Sequence, residues 1–145
     1  MTSSLQRFKE ALRNHCKHSG YKICPFGRVL PWTKRTPNVI ILETNSGRPV
    51  IFYVLTKQEK PGFWNISGTK YSEILLYRTK NPTTEWFLVL LEGSTEDGYL
   101  LTEKEVSHGI SGWTEVGNNW KLHTHNIPHN FQFYTFNMLF EQIKI

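Results

Sequence analysis

The chain has 145 residues, of which 39% are hydrophobic; this fits one domain around one ordinary core and excludes several independent cores. Asp97 is the only aspartate, which excludes a calcium loop or a magnesium centre built from several aspartates. No run of eighteen apolar residues occurs, and the first fifteen residues include charged side chains. The expectation is therefore a soluble cytoplasmic protein with no membrane partner.

Charge is divided unequally along the chain. Residues 1–80 contain 14 Lys and Arg against four acids, a net charge of +10, whereas residues 81–145 contain three bases against eight acids, a net charge of −5. A basic half of this size attracts polyanions more strongly than the overall charge of +5 indicates. Nucleic acid, with DNA as the favoured form, is the expected partner. The alternative is a solvated basic surface that only aids solubility.

The first predicted element is a helix. Apolar residues recur at spacings of three and four: Leu5, Phe8, Leu12 and Cys16. This spacing predicts an amphipathic helix over residues 4–19. Its polar side carries cations at intervals of four: Lys9, Arg13 and Lys17. Three cations in one row can lie along a phosphate backbone.

A hairpin follows an irregular segment. Residues 21–32 are apolar but interrupted by proline and glycine, which predicts one irregular strand. The runs NVIILET (38–44) and PVIFYVLT (49–56) are rich in β-branched and aromatic residues and flank a turn containing Asn and Gly. They predict an antiparallel hairpin at the centre of a mixed sheet. Because both runs are almost continuously apolar, the sheet is expected to be covered on both faces.

Residues 57–68 are predicted to form a polar loop that displays two aromatic side chains. Phe63 and Trp64 follow a Pro-Gly pair and stand near Lys57 and Lys60. Aromatic rings beside cations can stack on unpaired bases. The alternative is that Trp64 folds back as an anchor in the core.

The remaining elements follow in chain order: a short helix or strand at 71–77, a buried strand at 86–91, a strand at 98–101, a glycine-containing connector that begins at 104, an alternating strand at 120–125 and a closing helix at 131–144. The whole order predicts a single α/β domain over residues 1–145, with a mixed central β-sheet flanked by N-terminal and C-terminal helices.

Histidine and cysteine are the candidate metal ligands. The most metal-like cluster is His123, His125 and His129, because imidazole binds zinc or copper and alternate residues of a strand share one face. No Cys, Asp or Glu stands close in sequence to complete a site, so structural or surface histidines are favoured and no metal is predicted. Cys16 falls in the apolar series of the first helix, which favours a buried, inert thiol over a metal clip with Cys24.

The order of helix, strand, hairpin, connecting segment and apolar strand resembles the PD-(D/E)XK, or restriction-endonuclease-like, superfamily. The resemblance covers roughly residues 4–106 and is carried by Pro37-Asn38, by FYVLTK ending in Lys57, by Glu10, and by WFLVLLEG followed by GYLLTEKEV. It implies a core in which one acid at the hairpin start and another two residues before the lysine hold magnesium or manganese. The lysine helps to activate the attacking water and stabilises the charged phosphorane.

Carried over to this sequence, Lys57 matches the lysine and Glu10 can match the helix carboxylate. Asn38 stands where the resemblance implies Asp, and Leu55 stands two residues before Lys57. Neither side chain supplies the negative charge that binds a hard divalent cation and lowers the pKa of its water. Glu43, on the same hairpin, is the acid available to take the role of metal ligand instead.

Three hypotheses follow. The first is a nucleic-acid-associated protein with a nuclease-like core, a degenerate metal site and no cofactor. Its expected binding residues are Lys9, Arg13, Lys17, Lys34, Arg35, Lys57 and Lys60, with Phe63 or Trp64 as an aromatic contact. The second is an active metal-dependent DNA endonuclease that uses Glu10, Glu43 and Lys57 with magnesium or manganese. The third is a protein-interaction module in which part of the aromatic residues form a homo-oligomer interface.

Overall fold

The computed structural model describes residues 3–19, 22–23, 38–43, 48–57, 62–93 and 95–143. The helices are α1 (Ser4–Ser19), α2 (Gly68–Lys80), α3 (Glu103–Ile110) and α4 (Phe136–Gln142). The strands are β1 (Lys22–Ile23), β2 (Val39–Glu43), β3 (Pro49–Thr56), β4 (Phe63–Ser67), β5 (Glu85–Leu91), β6 (Gly98–Thr102), β7 (Thr114–Val116), β8 (Asn119–His123) and β9 (Gln132–Phe133).

Two sheets are described: a main sheet of six strands in the order β1-β2-β3-β5-β6-β9, and a small sheet of three strands in the order β4-β8-β7. In the main sheet β3 and β5 are parallel neighbours, and the other pairs are antiparallel. The chain passes from β3 to β5 through β4 and α2, as a parallel pair needs a crossover. The predicted hairpin and the predicted buried strand at 86–91 are therefore confirmed.

The main sheet is covered on both faces. On β3, Ile51 and Tyr53 join the apolar cluster that includes residues of α2, α3 and the small sheet. Val50 and Phe52 point the other way, into a cluster with α1 and α4. This confirms the predicted mixed central sheet flanked by N-terminal and C-terminal helices, and it explains why the β3 sequence is apolar throughout.

Helix α1 has the predicted bounds. The Ser3 hydroxyl accepts a hydrogen bond from the Gln6 backbone N–H at 3.2 Å, which satisfies a donor of the first turn. Phe8, Leu12 and Cys16 are buried against the main sheet.

The predicted loop at 57–68 is wrong in its second half, because residues 63–67 form β4. Trp64 and Ile66 are buried, and the residues between and beside them are half-buried, so FWNIS has the alternation of a strand covered on one face. The next predicted element is a helix, α2, and its first turn is capped where Ser67 accepts from the Lys70 N–H at 3.3 Å.

Three later predictions also need correction. The connector that begins at 104 is α3, which is stabilised by a capping box between Thr102 and Glu105. The alternating strand ends at His123, because residues 124–126 form a 3-10 turn. The closing helix begins only at Phe136, where the Thr135 hydroxyl caps it, since residues 132–133 pair with β6.

Several predicted residues lie outside the described part of the chain: Cys24, Lys34, Arg35, Lys60 and most of the irregular segment 21–32. None of the described helices combines the length and the apolar character that crossing a membrane requires.

Candidate functional site

The ends of β3 and β5 lie side by side at one edge of the main sheet, because these strands are parallel neighbours. Lys57 follows β3 and Glu92 follows β5. The Lys57 backbone N–H donates to the Leu91 carbonyl oxygen at 2.9 Å and so continues the pairing beyond the strands. The side chain of Lys57 contacts both Glu92 and Thr124, which follows β8 of the small sheet. We call these three residues the Lys57 edge.

Three contacts hold the Lys57 ammonium at this edge. Its Nζ donates to Thr124 Oγ1 at 2.7 Å and to Glu92 Oε2 at 3.3 Å. It also lies 5.0 Å from the centre of the Trp64 ring, within cation–π range. The side chain is half-buried, so its positive charge is both fixed in position and accessible from one side. Such a charge can stabilise a phosphate electrostatically.

Trp64 lies beneath the Lys57 edge as a core residue. Its side chain is 0% exposed, and its indole N–H donates to the Leu91 carbonyl oxygen at 2.9 Å. A buried N–H needs such an acceptor. The prediction that Trp64 contacts a base is therefore wrong, and the alternative, an anchor in the core, is confirmed.

At the position where the resemblance implies an aspartate, the structure has an amide bonded to an ammonium. Lys70 Nζ donates to Asn38 Oδ1 at 3.2 Å and lies 5.9 Å from the centre of the Tyr53 ring. Burial lowers the pKa of Lys70, and the nearby Glu73 carboxylate partly offsets this effect. The Tyr53 hydroxyl accepts from the Ser67 N–H at 3.1 Å, which ties the start of α2 to the main sheet.

The structure does not bring the three predicted catalytic residues together. Glu43 pairs with Pro49 at the opposite end of β3, eight residues from Lys57, which corresponds to ~26 Å of extended strand. An acid that holds the metal ion and a lysine that acts on its bound water cannot be so far apart, so this residue set is wrong. Glu10 is exposed on α1, and the acid that contacts Lys57 is Glu92 instead.

Other metal ligands are also dispersed. Among the side chains that the structure describes, no three His, Cys, Asp or Glu residues converge to hold a metal ion. Leu55 is half-buried against the apolar cluster. Cys16 is buried, and burial raises the pKa of its thiol to about 11; the predicted burial of Cys16 is confirmed.

Helix α1, which carries the cation row, begins near the Lys57 edge. Ser4 Oγ lies 3.2 Å from Thr56 Oγ1, so the helix starts beside the end of β3. Arg13 and Lys17 are exposed and Lys9 is half-buried. Burial lowers the pKa of Lys9, and the charge of Arg13 lowers it further. The row therefore carries like-charge repulsion between Lys9 and Arg13.

A second group of side chains lies beside the Lys57 edge, and we call it the aromatic strip: Phe63, Lys121, His123 and His125. Lys121 Nζ is 4.8 Å from the centre of the Phe63 ring. The rings of Phe63 and His123 are 6.0 Å apart, and those of His123 and His125 are stacked at 5.4 Å with 15° between their planes. His129 is exposed at the start of the following 3-10 turn.

A cleft of about 470 Å³ lies between α3 and the two 3-10 turns, with Trp113, Pro128 and Phe131 in its lining. Its charged residues include Lys104 and Glu105, which have opposite signs. The cleft therefore has no excess of either charge among these two residues.

Sequence reasoning missed several residues of this region. The sequence does mark Glu92 as a residue at a strand end, since it directly follows the buried run WFLVLL. The sequence also marks Lys121 as an outward-facing residue, because it alternates with the apolar residues of its strand. No sequence pattern predicts the contact of Lys70 with Asn38, because the two are 32 residues apart and only the docking of α2 brings them together.

No protein-family model matches this chain, and no curated protein matches it. The function must therefore be inferred from the geometry of the chain itself.

Proposed function

We propose that this protein binds nucleic acid, with DNA as the favoured form, through a restriction-endonuclease-like core that has lost its metal-binding acids, and that it does so without cleaving the strand. The observation that carries the proposal is the 3.2 Å contact between Lys70 Nζ and Asn38 Oδ1. An ammonium bound by a neutral amide stands where the resemblance implies a carboxylate and a metal ion. A cytoplasmic location belongs to the same proposal.

Positive charge near the Lys57 edge supports binding. The ammonium group of Lys57 lies at the end of β3, that of Lys70 lies at the start of β2, and helix α1, which carries the cation row, begins beside Thr56. From Lys9 to Lys17 the helix advances by ~12 Å. One strand of a DNA duplex carries a phosphate every ~3.4 Å along the axis, so three cations spaced ~6 Å apart match roughly every second phosphate.

The same edge explains why cleavage is not expected. Magnesium dehydrates reluctantly and is usually held by more than one carboxylate or by substrate phosphates. The carboxylate in contact with Lys57 is that of Glu92, and it is already engaged in an ion pair. Lys57 can stabilise charge but cannot generate hydroxide near neutral pH as a bound metal ion can.

A salt titration of duplex DNA binding tests the proposal. Replacing Arg13 and Lys17 by Ala is expected to reduce the steepness of the log–log salt dependence by roughly 1.8, or about 0.9 for each phosphate that the variant no longer neutralises. The matched control replaces Lys80 and Lys104, two other exposed cations, by Ala and keeps the same net charge. Undetectable binding at low salt, or an equal change in both variants, would contradict the proposal.

Cleavage is tested separately on supercoiled plasmid with magnesium or manganese. No nicking is expected from the wild-type protein. Nicking that disappears in both Lys57→Ala and Glu92→Gln would show that the Lys57 edge is an active nuclease centre, and the degenerate-site proposal would be wrong.

A further inference from the structure

The small sheet has one buried face and one outward face. Trp64 and Ile66 of β4 and Leu122 of β8 point into the core. By alternation, eight positions point outward: Phe63, Asn65, Ser67, Thr114, Val116, Asn119, Lys121 and His123. None of these is acidic, and one is a lysine. The charge of this face therefore complements an anion.

The aromatic residues on this face are held in fixed positions. Phe63 and His123 are direct partners in the antiparallel register of β4 and β8. The neighbouring side chains Trp64 and Leu122 are fully buried, so the backbone that carries the rings is anchored to the main core. His125 extends the series by stacking on His123, and its side chain is exposed.

The aromatic strip continues into the Lys57 edge. Thr124 lies between His123 and His125 in sequence, and its hydroxyl accepts the 2.7 Å hydrogen bond from Lys57 Nζ. The cation of the strip itself is Lys121, which lies beside the Phe63 ring.

We propose that the aromatic strip is a stacking platform for the unpaired bases of a single-stranded nucleic acid, with Lys121 as the cation for its phosphates. This inference rests on the nucleic-acid binding proposed above and adds the form of the ligand. The ring faces of bases within a duplex are covered by their neighbours, whereas the faces of unpaired bases are available to aromatic side chains. DNA and RNA share this chemistry.

The test compares three labelled ligands by fluorescence anisotropy: an oligothymidylate, a strand of equal length made of abasic sites, and an oligouridylate. The abasic strand has the same phosphates but no rings to stack. Phe63→Ala is expected to weaken oligothymidylate binding by about tenfold or more, as is usual for the loss of one stacked base, and to leave abasic binding unchanged. His125→Ala is expected to act in the same direction.

Two controls keep the result interpretable. Tyr134→Ala removes an aromatic side chain that is 63% exposed but lies outside the strip, and it is expected to change neither affinity. Phe63→Leu keeps apolar bulk in β4, so a loss of oligothymidylate affinity in this variant with unchanged thermal unfolding assigns the effect to the ring. Oligouridylate binding that responds to Phe63→Ala extends the platform to RNA, and a response limited to oligothymidylate assigns it to DNA.

Failure of this inference differs from failure of the proposed function. Equal affinities for the oligothymidylate and the abasic strand, both insensitive to Phe63→Ala, would overturn the stacking platform while leaving salt-dependent binding of nucleic acid intact. Undetectable binding of every strand and of duplex DNA at low salt would overturn both.

Discussion

The two sheets of this protein differ in how they are covered. The main sheet is buried on both faces, and its central strands are nearly uninterrupted apolar runs, PVIFYVLT and EWFLVLL. The small sheet is buried on one face only, and its strands FWNIS and NWKLH alternate. In a sheet that is buried on both faces, functional side chains reach solvent only at the strand ends, as Lys57 does. A half-covered sheet can present functional side chains along its whole length.

The largest expected contrast is in stability. Phe52 is 0% exposed in the main sheet and packs against the rings of Phe8 and Phe87. Phe52→Ala is expected to lower the free energy of unfolding by about 3–5 kcal/mol, because it removes apolar contacts and leaves a cavity. Phe63→Ala, on the outward face of the small sheet, is expected to cost less than about 1 kcal/mol. Urea unfolding measures both, and equal losses would contradict the contrast.

The second prediction concerns how stability depends on pH through Cys16, which is buried on the α1 side of the main sheet. Burial raises the pKa of the Cys16 thiol from 9.0 to about 11. The folded state therefore favours the protonated thiol, and the stability that this gives is complete below pH 9 and is lost as pH rises to about 11. The loss is at most about 3 kcal/mol, from about two pKa units.

The measurement is urea unfolding at a series of pH values in a Cys24→Ser background, with Cys16→Ala in that background as the control. The decline between pH 9 and about 11 is expected to be shallower in the control. Parallel declines would show that Cys16 does not contribute.

The third contrast compares two tryptophans of the small sheet. Trp64 is fully buried with a bonded indole N–H, whereas Trp120 is half-buried and makes a T-shaped contact with the Tyr71 ring. Trp64→Phe is expected to cost about 1–3 kcal/mol, because the variant lacks a buried hydrogen bond and part of the ring. Trp120→Phe is expected to cost less. Thermal unfolding followed by circular dichroism checks the order, and a larger loss for Trp120→Phe would reverse it.

The smallest contrast is between two lysines that lie over aromatic rings. Lys57 adds a hydrogen bond to Thr124 and an ion pair with Glu92 to its ring contact, whereas Lys121 lies over Phe63. Lys57→Met is expected to lower stability by about 1 kcal/mol, and Lys121→Met by less than about 0.5 kcal/mol. Urea midpoints at low and moderate salt measure the difference, and no difference at either salt would argue against a fixed Lys57.

Sequence patterns alone determined the elements whose burial is regular. The helix at 4–19 follows from its 3.6-residue periodicity, and the hairpin and the strand at 86–91 follow from continuous apolar runs. The hairpin also implies the separation of two candidate residues. The antiparallel pairing of its strands places Glu43 beside the start of β3 and Lys57 at the far end of that strand. The distance between these two residues therefore follows from the sequence pattern of the hairpin.

The tertiary structure decided the rest, because it depends on contacts between residues distant in the chain. Five residues of β4 are too few for alternation to distinguish a strand from a loop, and it is pairing with β8 that makes Trp64 a core residue and Phe63 an outward one. The partners of Lys57 come from residues 35 and 67 positions away. The candidate site consists of such contacts, which local propensity does not encode and only the packing of the two sheets produces.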